Sequence, residues 1–311
     1  MAKILITESV HPIGPELLTA AGHTVVYADR DMDIIRREIV DADAVLVRII
    51  ELPGSLLATA KNLKIVSKHG VGYDNIDLDY CKSHGIAVTI TPNANSLSVA
   101  EHAFTLMLTL AKNIIPVSNK YRMVGFAAKN HAPGLEMTGK TLGLIGMGRI
   151  GKYVLHMCKD GLDMHVIVYD PYISEVPEGV EKVDDLSELL RRADVVTLHC
   201  LLTDETRKLI DRERLALMKP TALLINCARG PIVDEDALIE ALENGRLAGA
   251  GLDVTDPEPV APDSPLFKLP NVIVTPHYAP TTVESATRVS KIAAENINAV
   301  LAGQEPVGRI V

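Results

Sequence analysis

The stretch Thr141-Leu-Gly-Leu-Ile-Gly-Met-Gly-Arg-Ile-Gly151 constrains the fold more than any other part of the chain. An apolar run, Leu142 to Ile145, meets glycines at 146, 148 and 151, and a helical pattern opens near Arg149. A buried parallel strand, a tight turn and a helix whose first N–H groups face an anion would produce this pattern. In that arrangement Gly146 lets the chain turn, Gly148 lets backbone approach a pyrophosphate, and Gly151 lets the helix pack on the strand. The spacing alone is not decisive, because glycine is common. Its surroundings carry the weight.

Those surroundings are a regular alternation of strands and helices. Apolar runs at 3–7, 24–27, 44–47, 63–67 and 87–90 predict five strands, with helical patterns at 14–21, 31–40 and 55–60 between them. Thr91-Pro-Asn-Ala-Asn95 interrupts the alternation. One long apolar helix is expected over 97–115, needing cover from another subunit or from within the monomer. A second alternation follows, with strands at 142–145, 165–169, 195–199, 222–226, 248–253 and 272–275. Helical patterns at 149–159, 184–191, 211–217 and 234–243 separate them, and a last helix spans about 282–301. Alternation of this kind predicts two parallel, doubly wound α/β sheets.

Composition narrows the partners. The net charge of −9, with no block of Lys and Arg, argues against nucleic acid and anionic membrane surfaces. The longest apolar stretch contains Glu101 and His102, and no stretch predicts a membrane span. Cys81, Cys158, Cys200 and Cys227 stand far apart, which suits reduced, buried thiols and gives no metal site. The N-terminus runs directly into a strand pattern without the layout of a signal peptide. A cytoplasmic protein is expected.

Asp170 follows Gly151 by 19 residues, at the end of the second strand of the second alternation. A carboxylate there suits the ribose hydroxyls of an adenosine and repels a 2′-phosphate, so NAD is expected over NADP. Three further residues follow strand ends: Arg229 in Asn-Cys-Ala-Arg-Gly, Glu258 in Asp-Val-Thr-Asp-Pro-Glu-Pro, and His277 in Thr-Pro-His-Tyr. Open α/β sheets bind ligands past the carboxyl ends of their strands. An Arg can hold a carboxylate and polarise a neighbouring oxygen, a His can move a proton near neutral pH, and a Glu can orient that His. Hydride transfer on a 2-keto or 2-hydroxy acid needs this chemistry.

Together, Gly146-Met-Gly-Arg-Ile-Gly151, Tyr169-Asp-Pro171, Asn226-Cys-Ala-Arg-Gly230, Leu252-Asp-Val-Thr-Asp-Pro-Glu-Pro259 and Thr275-Pro-His277 resemble the D-isomer-specific 2-hydroxyacid dehydrogenases. So do Lys68-His-Gly-Val-Gly-Tyr-Asp-Asn-Ile-Asp77 and Ser98-Val-Ala-Glu-His102. The nearest branch is the phosphoglycerate dehydrogenase-like one, in a short form. The resemblance implies a Rossmann NAD-binding domain, 98–284, inserted into a flavodoxin-like substrate domain formed by 1–97 and 285–311. It implies an Arg229 anchor, a His277 acid/base oriented by Glu258, and substrate contacts from Arg48 and the backbone of Val71 and Gly72. Arg149 and Ile150 would lie over the pyrophosphate. Cys200, Cys227, Ala228 and Asp253 would line the cofactor, with Asp253 bonding the nicotinamide carboxamide.

The sequence departs from that family's pattern in four places. Where phosphoglycerate members carry Arg-Ser-x-Thr, this chain has Arg48-Ile-Ile-Glu51, which places a negative charge where a phosphate would arrive. No Trp occurs, Tyr278-Ala-Pro follows His277 where Gly is usual, and Leu201 replaces a Pro. The expected substrate is therefore a small unphosphorylated acid, hydroxypyruvate- or glyoxylate-like, handled by a homodimer. The alternatives are 3-phosphoglycerate oxidation and an NAD-sensing corepressor.

Overall fold

Among the described residues, the strands of both sheets pair in parallel. Parallel strands need helical crossovers, which bury both faces of the sheet, so their sequences read as continuous apolar runs. The computed structural model describes residues 1–130 and 132–311, in two units: 1–95 with 280–311, and 96–279.

The first unit contains β1 (Lys3–Ile6), α1 (Ile13–Ala20), β2 (Thr24–Tyr27), α2 (Met32–Glu38), β3 (Ala44–Val47), α3 (Gly54–Leu57), β4 (Ile65–Lys68), α4 (Leu78–Ser83) and β5 (Ala87–Thr89). The sheet order β2-β1-β3-β4-β5 is the flavodoxin-like one. Alternation within a strand feeds two cores. Leu5, Val45, Val47 and Val66 face Ile35, Ile39 and Leu57. Ile4, Ile6, Leu46 and Ile65 face Leu18 and the C-terminal helix, Val283–Leu301, through Ala293, Ala294 and Ile297. That helix lies so close to α1 that a Cβ on Gly14 would meet the Ser290 hydroxyl at 2.4 Å.

The second unit contains α5 (Ser96–Ala111), α6 (Ile114–Val124), β6 (Thr141–Ile145), α7 (Arg149–Leu162), β7 (His165–Tyr169), β8 (Val180–Lys182), α8 (Leu186–Arg192), β9 (Val195–Leu198), α9 (Arg212–Leu217), β10 (Leu223–Asn226), α10 (Glu235–Glu243), β11 (Gly249–Leu252) and β12 (Val272–Val274). Its order, β12-β11-β10-β9-β6-β7-β8, is the Rossmann one, reversing direction between β6 and β9. The reversal opens a crevice at the carboxyl ends of these two strands, where Gly146 begins the glycine turn.

The helix expected over 97–115 is two helices. Asn113 takes the left-handed conformation (φ 51°) and starts a new helix at Ile114. Cover for α5 comes from its own unit: Val99, Ala100, Ala103, Leu106 and Met107 are buried, and the helix packs on α7, β10 and β11. Two glycines of β11 permit this approach, since a Cβ on Gly251 would sit 3.0 Å from the Leu106 Cβ. The second helix, α6, buries none of its residues.

Candidate active site

The three motif glycines have three distinct surroundings. Gly146 has φ +88°, and a Cβ there would meet the Cys200 nitrogen at 2.7 Å and the His199 carbonyl carbon at 2.8 Å. Gly151 sits under the turn, where a Cβ would lie 2.3 Å from the Gly146 oxygen. A Cβ on Gly148, at the N-cap of α7, would meet nothing within 4 Å. Turning and packing therefore demand Gly146 and Gly151, whereas the space at Gly148 stays open beside the helix N-terminus. This cradle fits a pyrophosphate. Arg149 and Ile150 form the first turn of α7. Asp170, just past β7, accepts hydrogen bonds from Met147 N (2.9 Å) and Tyr172 N (3.0 Å), which ties the tip of β7 to the glycine turn.

Arg229 follows β10 in a loop held by its own strand. The Asn226 amide donates to the Arg229 carbonyl (2.9 Å) and accepts from Ala228 N (3.0 Å). Gly230 then passes so close to the segment after β11 that a Cβ would lie 1.9 Å from the Thr255 oxygen. That close pass sets the Arg229 loop against the segment leading to Glu258. The same segment is held by Glu235, whose carboxylate accepts from Asp256 N (2.9 Å).

His277 and Glu258 are brought together, with Nδ1 of the imidazole 2.6 Å from Oε1 of the carboxylate. Both side chains are partly open, at 38% and 41% exposure, so the pair can be reached by a small molecule. His277 itself has φ +52°, a conformation that costs a residue with a Cβ about 1–2 kcal/mol. Its N–H donates to the Asp253 carbonyl (2.8 Å).

Asp253 is 1% exposed. Its carboxylate accepts from the Thr275 hydroxyl (2.6 Å), Tyr278 N (2.7 Å) and Ala279 N (2.9 Å). It is thus built into the turn that carries His277. Burial pushes the Cys200 thiol up to about 11 and, with the Asp253 charge nearby, the Cys227 thiol well above its ordinary value. Neither is a thiolate at neutral pH. No group of His, Cys, Asp and Glu suited to a metal ion occurs among the described residues.

In the first unit Arg48 ends the run after β3, with Ile49 exposed beside it. The chain beyond β4 turns at Gly70 (φ +145°), whose carbonyl accepts from Thr91 N (2.9 Å) and its hydroxyl (3.2 Å). Val71 and Gly72, both half-buried, follow that turn. Sequence reasoning missed Glu8, which is 2% exposed and accepts from Arg48 N (2.7 Å), Ile49 N (2.7 Å) and Ile50 N (3.2 Å). Its ligands lie some forty residues away, so no local pattern announces it. Lys68, also buried, donates from the other side to the Arg48 carbonyl and to Asn75.

Residues 104–279 match the D-isomer specific 2-hydroxyacid dehydrogenase, NAD binding domain model. A glyoxylate reductase of Thermofilum pendens is 38% identical, over 98% of this chain and 93% of its own length. The chain belongs to the D-isomer specific 2-hydroxyacid dehydrogenases. A D-3-phosphoglycerate dehydrogenase of Methanocaldococcus jannaschii is 43% identical over 98% of the chain, which spans only 58% of that relative. Thus the chain covers little more than half the length of the phosphoglycerate dehydrogenases it matches. Among solved structures, the NADPH-dependent glyoxylate/hydroxypyruvate reductase of Sinorhizobium meliloti, in complex with NADP and malonate, superposes with a TM-score of 0.90. It is 28% identical, over 100% of this chain and 97% of that one. The matched NAD-binding-domain residues, 104–279, fall within the second unit, 96–279.

Proposed function

We propose that this family member transfers hydride between NAD and C2 of a small, unphosphorylated 2-hydroxy or 2-keto acid of the hydroxypyruvate or glyoxylate kind. The 2.6 Å bond between His277 and Glu258, beside the Arg229 loop, carries the reading. When bound, the nicotinamide supplies or accepts the hydride. The protein's residues do the rest. With Nδ1 held by Glu258, Nε2 of His277 is the ring nitrogen left to donate a proton to the C2 oxygen as a keto acid is reduced. It takes that proton back in the reverse direction. Glu258 holds the tautomer and stabilises the imidazolium before transfer. Arg229 holds the substrate carboxylate and polarises the C2 oxygen. Gly146, Gly148, Arg149, Ile150 and Gly151 would receive the pyrophosphate, and Asp170 the adenosine ribose. In the first unit, Arg48 and the Val71–Gly72 backbone would contact the acid.

Two observations favour an unphosphorylated substrate over 3-phosphoglycerate. Glu8 occupies the N–H groups of Arg48, Ile49 and Ile50, which would otherwise suit a phosphate. Glu51 adds an exposed negative charge to the same loop. A panel of hydroxypyruvate, glyoxylate, pyruvate and phosphohydroxypyruvate with NADH and NADPH tests both substrate and cofactor. Exclusive reduction of phosphohydroxypyruvate would overturn the reading. His277→Ala is expected to abolish turnover while NADH binding persists. Loss of NADH binding would make His277 a structural residue instead.

A homodimer is part of the same proposal. Ile114, Ile115, Tyr121, Met123, Val124 and Phe126 are exposed on or just after α6, and a groove of about 400 Å³ runs along its foot beside Val117 and Ala128. So large an apolar patch on one short helix calls for cover, and a second copy of the chain supplies it. Sizing in solution, for the wild type and for Met123→Lys with Phe126→Lys, checks this. A wild-type monomer removes it.

A further inference from the structure

A second histidine, which the proposed chemistry does not use, lies against the turn that carries His277. His102 lies on α5, with its side chain 17% exposed, and its Nε2 is 3.0 Å from the Thr275 hydroxyl and 3.4 Å from Asp253 Oδ1. The proton positions follow from donor counting. An ionised Asp253 can only accept, so the single Thr275 hydroxyl proton points to Oδ1 at 2.6 Å. The Thr275 oxygen is then left to accept, and His102 must carry its proton on Nε2. The chain of donation runs from His102 to Thr275 to Asp253.

Asp253 passes this order to the turn. Its carboxylate holds Tyr278 N and Ala279 N, and its carbonyl holds His277 N. The His102 ring also meets the Tyr278 ring edge to face, with centroids 6.2 Å apart. His102 thus supports the turn on both sides of His277, whose φ of +52° is uncommon for a residue with a Cβ.

We propose that His102 is a positioning residue for His277, acting through Thr275 and Asp253 to hold the turn in the conformation that aims the imidazole. The proposal rests on His277 being the acid/base. In the intact chain, His102→Leu removes the donor, His102→Gln keeps a donor at the place of Nε2, and Thr275→Val removes the relay at constant shape. His102→Leu should lower kcat by about 10- to 100-fold, the scale of a small misplacement of a reacting group. NADH affinity, read by fluorescence titration, should stay within about twofold, because His102 does not touch the glycine turn at 146–151 and Asp253 keeps its bonds to Tyr278 N and Ala279 N. His102→Gln should recover most of the lost kcat. The double variant His102→Leu with Thr275→Val should be no worse than the poorer single variant, since both break one chain.

An unchanged kcat in His102→Leu overturns the proposal, as does His102→Gln being as slow as His102→Leu, or fully additive losses in the double variant. If His102→Leu does not fold, His102→Gln and Thr275→Val decide the matter: near-wild-type kcat in the former with a loss in the latter supports it, and any other pattern overturns it. His277→Ala, measured alongside, separates the two readings. Retained activity in that variant defeats the acid/base assignment itself, whatever His102 does.

Discussion

At the scale of single residues, the role proposed for the His277–Glu258 pair can be tested by removing one charge. Glu258→Gln keeps the shape of the contact and removes its charge, so the imidazolium loses its counter-ion. If the proposed role holds, kcat should fall about tenfold or more, because the proton donor loses the carboxylate that orients and stabilises it. An unchanged kcat would take Glu258 out of the mechanism. Asp170→Ala removes the acceptor of Met147 N and Tyr172 N together with the charge proposed to face a 2′-phosphate. The kcat/KM ratio of NADH to NADPH should fall about tenfold or more, the worth of one well-placed charge, and an unchanged ratio would mean that Asp170 does not face the ribose. Gly230→Ala forces a Cβ into the Thr255 carbonyl, 1.9 Å away. Denaturant unfolding should show a loss of about 1–3 kcal/mol, and kcat should fall further than stability explains because Arg229 and Glu258 ride on the two segments pushed apart.

At the scale of elements, α10 illustrates how much of a helix depends on its first residue. Asp234 caps it by accepting from Ala237 N (3.2 Å), and it also meets Lys208 at 3.0 Å. Asp234→Ala should cost about 1 kcal/mol by denaturation, mostly through the cap; Lys208→Ala should cost less, because exposed ion pairs contribute little. The same physics explains which elements were legible in the sequence. Buried parallel strands such as Leu142–Ile145 and Val195–Leu198 are unbroken apolar runs and could be read directly. The edge strand β8, Val-Glu-Lys, has no such run. Helix α4 carries little apolar periodicity, and its clearest mark was the capping Asp77, which accepts from Tyr80 N. The break at Asn113 needs neither Gly nor Pro, only one residue tolerant of positive φ, so apolar content on both sides hid it. At the site, the glycine motif and His277 were readable because local chemistry marks them. Glu8 and His102 were not, since their partners lie at 48–50 and at 253–275.

At the scale of the whole molecule, two half-buried histidines make the fold sensitive to acid. Burial, helped by the Arg48 charge, lowers His69 to about 4, and burial alone lowers His199 to about 3. Both are neutral in the folded protein, whereas in the unfolded chain they take up protons below their ordinary value of about 6.5. Stability is therefore complete above pH 6.5 and falls as pH drops toward 4, by about 1.4 kcal/mol per histidine for each pH unit. Melting temperatures between pH 7 and 4.5 would show this, and His69→Gln should flatten the dependence. If it does not, His69 is already charged in the folded protein. No helix among the described residues is long and apolar enough to cross a membrane.

The first unit is made from two separated stretches of chain, and this fixes an order of events during synthesis. The stretch 96–279 is continuous and can close its own sheet as soon as it has emerged from the ribosome. Residues 1–95, although made first, must wait for Ala293, Ala294 and Ile297 to cover one face of their sheet, and for Ser67 to reach the Ala293 carbonyl (3.0 Å). Until then a row of isoleucines and leucines stays open to other chains, so the stretch made before the continuous unit is protected after it.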